Sequence, residues 1–449
     1  MFQVSSMRSL SMTAMTMRTM PLLIVNRTGV IGVTLLVAQG RELRIGSLVR
    51  EPSGTVRFTI DDGYINLGSD RPLVSLSWRG GIEDDTRVRL RSTSDKVMQG
   101  GSLPPFFQNM LPEGALRELV EKEFGAGAFD NFDVLARLGE DLPGALIARQ
   151  EAGIEQAVLR QDKVVALERA SSPPIRFSLA GVQLKFSVTN RGSLTIPAQK
   201  GDGHLILKTP SPQHALLPEV EWTALKLAEA LDIRVAKAEL VSSENIEGIP
   251  EQYLVGDKRS LVVERFDRGP EGGRIQVEDF AQIVGAVGDQ KYTKANETTI
   301  MNIVQRFCRD SRGELLESVR RIVVNLMLGN GDAHLKNWSF IYPIGGDVSL
   351  TPAYDIVPTF LYGDANMALE FGGTKDPNLI NLHKFERAAA ALRIEPRVLI
   401  GQVMETVKKA LDVWPSIIAD SPITAEMKNR LLERFQNLPL VNEVARLTK

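Results

Sequence analysis

The stretch from Leu315 to Phe340 constrains this chain more than any other. Leu315, Leu316, Val319, Ile322, Val323, Leu326 and Met327 recur at i, i+3, i+4, i+7 spacing, which predicts a helix with one buried face, and Gly329 ends the pattern. Next comes "GNGDAHLKNWSF", where an aspartate, a histidine, a lysine and two asparagines crowd together before an apolar run. "WSFIYP" and "VSLTPAYDIV" read as a hairpin pair turning at Gly345-Gly346-Asp347. A polar loop held between a buried helix and a hairpin is the arrangement expected of catalytic residues on a scaffold.

The chain has 449 residues, too many for one hydrophobic core, so two or three domains are expected. With 43% hydrophobic residues, 24% charged residues and a net charge of -2, it is a globular protein with no polybasic footprint for nucleic acid. A single cysteine, Cys308, rules out an internal disulfide, and the four histidines at 204, 214, 334 and 383 lack zinc-ligand spacing. A reducing, cytoplasmic setting is expected. The apolar run "GVIGVTLLVA" is about half the length that spans a bilayer, so no membrane association is expected. Residues 1–21 hold six methionines and no acidic residue; a disordered tail, a start assigned too far upstream and a targeting peptide all fit this composition.

Strand-like runs "GVTLLVA", "RIGSLV" and "TVRFTI" are separated by turn signals at Asp61-Asp62-Gly63 and Arg79-Gly80-Gly81. Pro112-Glu113 reads as a helix opening, and "NFDVLARLGEDLPGALIAR" as a helix breaking into a strand. A polar stretch ending in "SSPP" reads as a linker, so the first unit is placed at 22–150 and the linker at 151–174. Strands then return in "RFSLAGVQLKFSVT", "SLTIPA", "HLILKTP", "KAELVSS" and "SLVVERFDR", with one helix at "LPEVEWTALKLAEALDI". From Val277 onward the pattern reads as helical, beginning with "VEDFAQIVGAV". Strands first and helices second imply an α+β arrangement, with a sheet lobe at 175–267 and a helical lobe at 268–449.

Asp332 and Asn337 are five residues apart, and Asp355 lies eighteen further on. A kinase catalytic loop uses the same step from base aspartate to metal-binding asparagine, followed by a second metal-binding aspartate. The chemistry needs those types: a carboxylate to orient a hydroxyl and take its proton, and oxygen ligands for Mg²⁺. Lys336 can neutralise charge on a transferred phosphoryl group. Asp and Asn are also common wherever a chain reverses, so the loop alone reads first as a plain turn, and the residues upstream shift the balance. Lys208 ends an apolar strand and needs an anionic partner, which nucleotide phosphates, Glu219 or Glu221 could supply. It also fits a lysine snorkelling from a strand edge. "SLAGVQLK" offers Gly181 and small neighbours to phosphates, although it is not a G-x-G-x-x-G and also fits a plain hairpin.

Together these segments resemble the HipA-like serine/threonine kinases, the toxin half of HipA/HipB toxin–antitoxin pairs. The likeness rests on "PPFFQNMLPEGALRELV", "FDVLARLGEDLPGAL", "FSLAGVQLKFSV", "HLILKTP", "LPEVEWTALKLAEALDI", "LVVERFDR", "VEDFAQIVG", "GNGDAHLKNWSF" and "LTPAYDIVPT", in that order. It implies a two-lobed protein-kinase-like fold, with a β-rich N-lobe and a helical C-lobe, preceded by a small α/β HipA N-terminal domain. It further implies that Asp332 is the catalytic base, completed by His334 and Lys336, with Asn337 and Asp355 holding Mg²⁺. Lys208 would bind ATP phosphates; Ala180, Gly181, Val182, Gln183 and Lys185 would form the phosphate loop; and Glu264, Arg265 and Phe266 would line the adenine site. Ser178 stands where the family carries an autophosphorylated serine, and a doubly charged group there would repel the phosphates. Leu184 stands where an acidic or polar residue is usual.

The expected function is an ATP- and Mg²⁺-dependent protein serine/threonine kinase acting on a translation-related protein such as an aminoacyl-tRNA synthetase. A HipB-like helix-turn-helix antitoxin is the expected partner and would carry the DNA binding, so this chain meets DNA only indirectly. Two other readings use the same residues: a small-molecule or lipid phosphotransferase, and a non-catalytic ATP-binding corepressor.

Overall fold

The computed structural model describes residues 28–37, 40–114, 117–118, 120–121, 129–151, 185–190, 194–195, 203–249, 253–254, 259–269 and 273–448. Strands β1 (Gly29–Leu36), β2 (Glu42–Arg50), β3 (Val56–Ile60), β4 (Val97–Met98) and β5 (Leu146–Gln150) form an antiparallel sheet in the order β4-β3-β2-β1-β5. In β3, Val56, Phe58 and Ile60 are buried while Arg57 and Thr59 are exposed, the alternation of a sheet with one covered face. Helices α1 (Asp62–Asn66), α2 (Glu83–Arg91), α3 (Pro105–Gln108) and α4 (Asn131–Leu138) accompany it. The sequence reads 61–63 as a turn; instead Asp61 accepts a hydrogen bond from the Gly63 amide at 2.8 Å and caps α1. Phe58, Trp78, Phe106 and Phe107 stack edge and face in this core, so α3 is pinned to the sheet.

A second sheet runs β10-β7-β6-β8-β11-β9, built from β6 (Lys185–Asn190), β7 (Leu194–Thr195), β8 (Leu205–Lys208), β9 (Ala238–Ser242), β10 (Ile246–Glu247) and β11 (Arg259–Glu264). Its buried Phe186, Val188, Leu207 and Val262 join the core of the first sheet. Helix α5 (Leu217–Glu229) lies between β8 and β9 in the chain, yet Val220, Ala224 and Leu227 pack into the helical core that follows. That core contains α6 (Phe280–Val284), α7 (Glu297–Phe307), α8 (Ser311–Leu328), α9 (Leu382–Ala391), α10 (Pro396–Asp420), α11 (Ala425–Asn437) and α12 (Pro439–Leu447). The indole Nε1 of Trp414 in α10 donates to the Leu227 carbonyl at 2.9 Å, tying α5 to the helices.

A small third sheet supports the site: β12 (Gln276–Asp279), β13 (Ser339–Tyr342) and β14 (Ser349–Leu350), antiparallel in that order. Its hairpin is the one read from sequence, turning through Gly345 at φ +67°. The sequence pattern predicts helix from Val277, whereas Gln276–Asp279 pairs with β13 and the helix begins only at Phe280. The cause is a capping box: the Asp279 side chain accepts from the Gln282 amide and the Gln282 side chain accepts from the Asp279 amide, both at 2.8 Å.

The first sheet unit docks tightly on the rest. Gly144, at φ +78°, brings its amide to 2.8 Å from Asp267 Oδ2, and a Cβ there would stand 2.9 Å from the Val277 nitrogen. Arg265 and Arg268 each reach Asp141 at 3.0 Å, and Glu278 accepts from the Leu76 amide at 2.9 Å and from the Tyr342 hydroxyl at 2.6 Å. Burial pushes the Glu278 carboxyl up to about 7.

Candidate active site

The buried stripe of α8 delivers the polar loop to a fixed place. Gly329 closes the helix at φ +64°, and the Asn330 amide bonds back to the Asn325 carbonyl at 2.9 Å. A side chain at 329 would meet Arg434 and the Phe360 ring within 3 Å, so glycine is needed for space as well as for φ. Asn330 accepts from the Asp332 amide at 3.1 Å and Thr359 from the Gly331 amide at 2.7 Å. The loop is therefore braced on the N-terminal side of Asp332.

The Asp332 side chain is about half exposed, and its Oδ1 accepts a hydrogen bond from the Tyr292 hydroxyl at 2.6 Å. The Asp332 backbone carbonyl accepts from Asn337 Nδ2 at 2.7 Å. With its nitrogen committed, Asn337 keeps its carbonyl oxygen as the atom to offer a cation. His334 places Nε2 3.7 Å from Asp332 Oδ1, beyond hydrogen-bond range, and its ring meets the Tyr292 ring edge-on. Burial, assisted by Lys291 and Lys336, pushes the His334 pKa down to about 4 against the pull of Asp332, so the imidazole is neutral at pH 7. Lys336 Nζ sits 2.7 Å from Glu113 Oε1, so its charge already has a partner from the first sheet unit, which the sequence does not suggest. Lys291 takes the other oxygen of Glu113 at 2.7 Å. Burial alone would raise the Glu113 carboxyl; the two ammonium groups instead hold it down at about 2.

Across the site stands an ion cage. Register makes Lys185 and Lys208 direct cross-strand partners, which places two like charges side by side on one face. Asp355 answers both: Oδ2 pairs with Lys185 at 2.7 Å and Oδ1 pairs with Lys208, which also binds Glu221. Of the two glutamates proposed from sequence, Glu221 is thus the partner of Lys208, while Glu219 pairs with Arg259 at 3.2 Å. Burial works against charge here, but Lys185 and Lys208 keep the Asp355 carboxyl far below its ordinary value, and Asp355 and Glu221 keep Lys208 above its own. Asp355 adopts φ +53°, a left-handed conformation that Asp tolerates better than most residues.

Both groups line one cleft of about 540 Å³, together with Ile206, Val263, Glu264, Phe266 and Val277. The Phe266 ring lies 5.5 Å from that of Tyr354. Arg265 lines the cleft as well, but its guanidinium is fully buried between Asp141 and Asp267, so the side chain serves the junction with the first sheet unit. Ser178, Ala180, Gly181, Val182 and Gln183 lie outside the described residues. Among the described residues, no three His, Cys, Asp or Glu side chains group as a metal cage, and no helix is long and apolar enough to cross a membrane.

Comparison with known proteins identifies the family. Residues 177–414 match the family model of the HipA-like C-terminal domain, and residues 37–149 that of the HipA N-terminal domain. A Sinorhizobium fredii protein named "Putative kinase Y4dM" is 33% identical over 90% of this chain and 96% of its own length. The serine/threonine-protein kinase toxin HipA of Shewanella oneidensis is 24% identical over 76% of this chain and 84% of its own. A chain from the Shewanella oneidensis HipA, HipB and operator DNA complex has the same fold, with a TM-score of 0.66 at 20% identity, covering 93% of this chain and 99% of that one. The chain belongs to the HipA-like kinase family and carries that family's N- and C-terminal domains in order.

Proposed function

We propose that this protein is an ATP-dependent protein serine/threonine kinase of the HipA toxin type, with Asp332 as its catalytic base. One observation carries the reading. A braced, half-exposed carboxylate and a cage of two lysines and Asp355 share a single cleft. Asp332 orients the acceptor hydroxyl and takes its proton, with Tyr292 holding one carboxylate oxygen so that the other faces the acceptor. Lys185 and Lys208 are two cations that can exchange Asp355 for nucleotide phosphates, which frees that carboxylate as a ligand. The apolar wall of Ile206, Val263 and Val277 suits a purine ring, with the Glu264–Phe266 backbone at its edge.

The donor set fits Mg²⁺. Asn337 and Asp355 offer only hard oxygen atoms, and too few of them for a protein-only cage, as suits an ion that shares phosphates and water. When bound, Mg²⁺ supplies positive charge to the transferring phosphoryl group.

The acceptor we infer is a hydroxyl on a translation-related protein such as an aminoacyl-tRNA synthetase, with autophosphorylation at Ser178 as the off-switch. A HipB-like helix-turn-helix antitoxin is the inferred partner in the cytoplasm. The family relative solved together with HipB and operator DNA supports that partner. Intact-mass analysis after incubation with Mg-ATP tests the reading. The wild type gains one phosphate, mapped to Ser178, and D332A and D355A gain none. Absence of phosphate from the wild type and from every protein in a lysate overturns it, as does transfer to small molecules alone.

A further inference from the structure

Lys291 and Lys336 flank the two residues that hold Asp332. Lys291 precedes Tyr292, whose hydroxyl bonds the Asp332 carboxylate; Lys336 precedes Asn337, whose amide bonds the Asp332 carbonyl. Both lysines are buried, and both end on one carboxylate, that of Glu113, at 2.7 Å each. Glu113 reaches them from the first sheet unit, 178 residues before one and 223 before the other.

The segment carrying Glu113 is itself anchored. Gln282 donates to the Phe106 carbonyl at 2.9 Å, and Asn109 donates to the Ala286 carbonyl at 2.7 Å. Phe106 and Phe107 are locked in the aromatic cluster of the first unit. A segment tied down just upstream, at Phe106 and Asn109, therefore presents one negative charge to two buried positive ones. Without it, two ammonium groups would share a poorly solvated corner and push each other, and their backbone neighbours, apart.

We propose that Glu113 is a positioning residue for phosphoryl transfer, through which the N-terminal unit holds Lys291 and Lys336, and with them Tyr292 and Asn337, in the arrangement that presents Asp332. This inference rests on the kinase reading and adds to it: the first sheet unit completes the catalytic centre as well as covering it. Glu113 touches neither acceptor nor nucleotide in this role. Its loss acts on kcat, because geometry at the base matters only in the transition state.

The test uses the full chain with Mg-ATP and measures phosphotransfer for wild type, E113Q, K336M and the E113Q/K336M double variant. E113Q keeps shape and removes charge. The expected result is a kcat about tenfold lower with KM for ATP within about twofold, and a double variant slower than K336M alone by clearly less than tenfold, because part of the Glu113 effect runs through Lys336 and the rest through Lys291. A purely structural Glu113 would lower kcat only in step with melting temperature, and its effect would add to that of K336M. An active wild type with E113Q at the same kcat overturns this inference and leaves the kinase reading standing. Additive losses, or a loss that vanishes well below the melting temperature of E113Q, also overturn it. A wild type without any phosphotransfer overturns both.

Discussion

The hydroxyl of Tyr292 donates a 2.6 Å hydrogen bond to Oδ1 of Asp332. The donor belongs to the short turn Gly288–Tyr292 and the acceptor to the loop after α8, forty residues later. A phenol bonded to one oxygen fixes the carboxylate plane and leaves the other oxygen for an acceptor hydroxyl. Burial and the Asp332 charge both push the Tyr292 phenol far up, so it stays a donor at every working pH. Y292F should therefore lower kcat by about tenfold, the loss of roughly one charge-assisted hydrogen bond, with little change in KM for ATP. Steady-state phosphotransfer measures this; an unchanged kcat would show that the carboxylate is held in place without Tyr292.

Lys208 lies 4% exposed against Glu221 at 1%, with Asp355 on its other side. Removing the ammonium leaves the buried Glu221 carboxylate and the part-buried Asp355 carboxylate facing Lys185 alone. K208M should destabilise the fold by about 3 kcal/mol as well as abolish transfer. Urea denaturation monitored by circular dichroism reads the first effect. A midpoint equal to wild type would mean that the cage contributes nothing to stability.

At the junction of the first sheet unit, Asp267 bonds Arg265 at 3.0 Å, Arg268 at 2.7 Å and the Gly144 amide at 2.8 Å. D267A removes one of the two carboxylates, Asp141 and Asp267, that these buried guanidinium groups share. A loss of about 3–5 kcal/mol is expected, visible as a lower denaturation midpoint. Limited proteolysis should then cut between the two units first; uniform cutting along the chain would speak against a local weakness there.

Glu297 is buried with one carboxylate oxygen unbonded, and burial alone pushes its pKa up to about 8. The folded state thus keeps a proton that the unfolded chain releases from about pH 4.5 upward. Between these two values the folded state binds more protons, so stability falls as pH rises through the window and levels off above about 8. E297Q removes this dependence. Its melting temperature should match wild type near pH 4.5 and exceed it increasingly toward pH 8; parallel curves for the two proteins would contradict the burial argument.

Local patterns were legible in the sequence wherever period and punctuation agree. The α8 stripe, the Gly329 stop and the hairpin after Asn337 all follow from neighbours a few residues apart, because apolar spacing and turn chemistry are local quantities. The strand Gln276–Asp279 was misread as helix, since four residues leading into a capping box look the same in either state until a partner strand is present. Glu264, Arg265 and Phe266 line the cleft, but the ionic role of the Arg265 guanidinium was not legible, because it answers Asp141, a residue 124 positions away.

By itself the sequence determined the succession of strand-rich and then helix-rich segments and the chemical types in the candidate site: a carboxylate, an amide and two lysines on strands. Which groups meet was decided only in three dimensions. Cross-strand register sets Lys185 beside Lys208, and the return of the chain brings Asp355 between them. Docking of the first unit delivers Glu113 to Lys291 and Lys336, and a short turn delivers Tyr292 to Asp332. Each is an ionic or hydrogen-bonded contact that acts over about 3 Å and has no period along the chain, so no pattern of neighbouring residues encodes it.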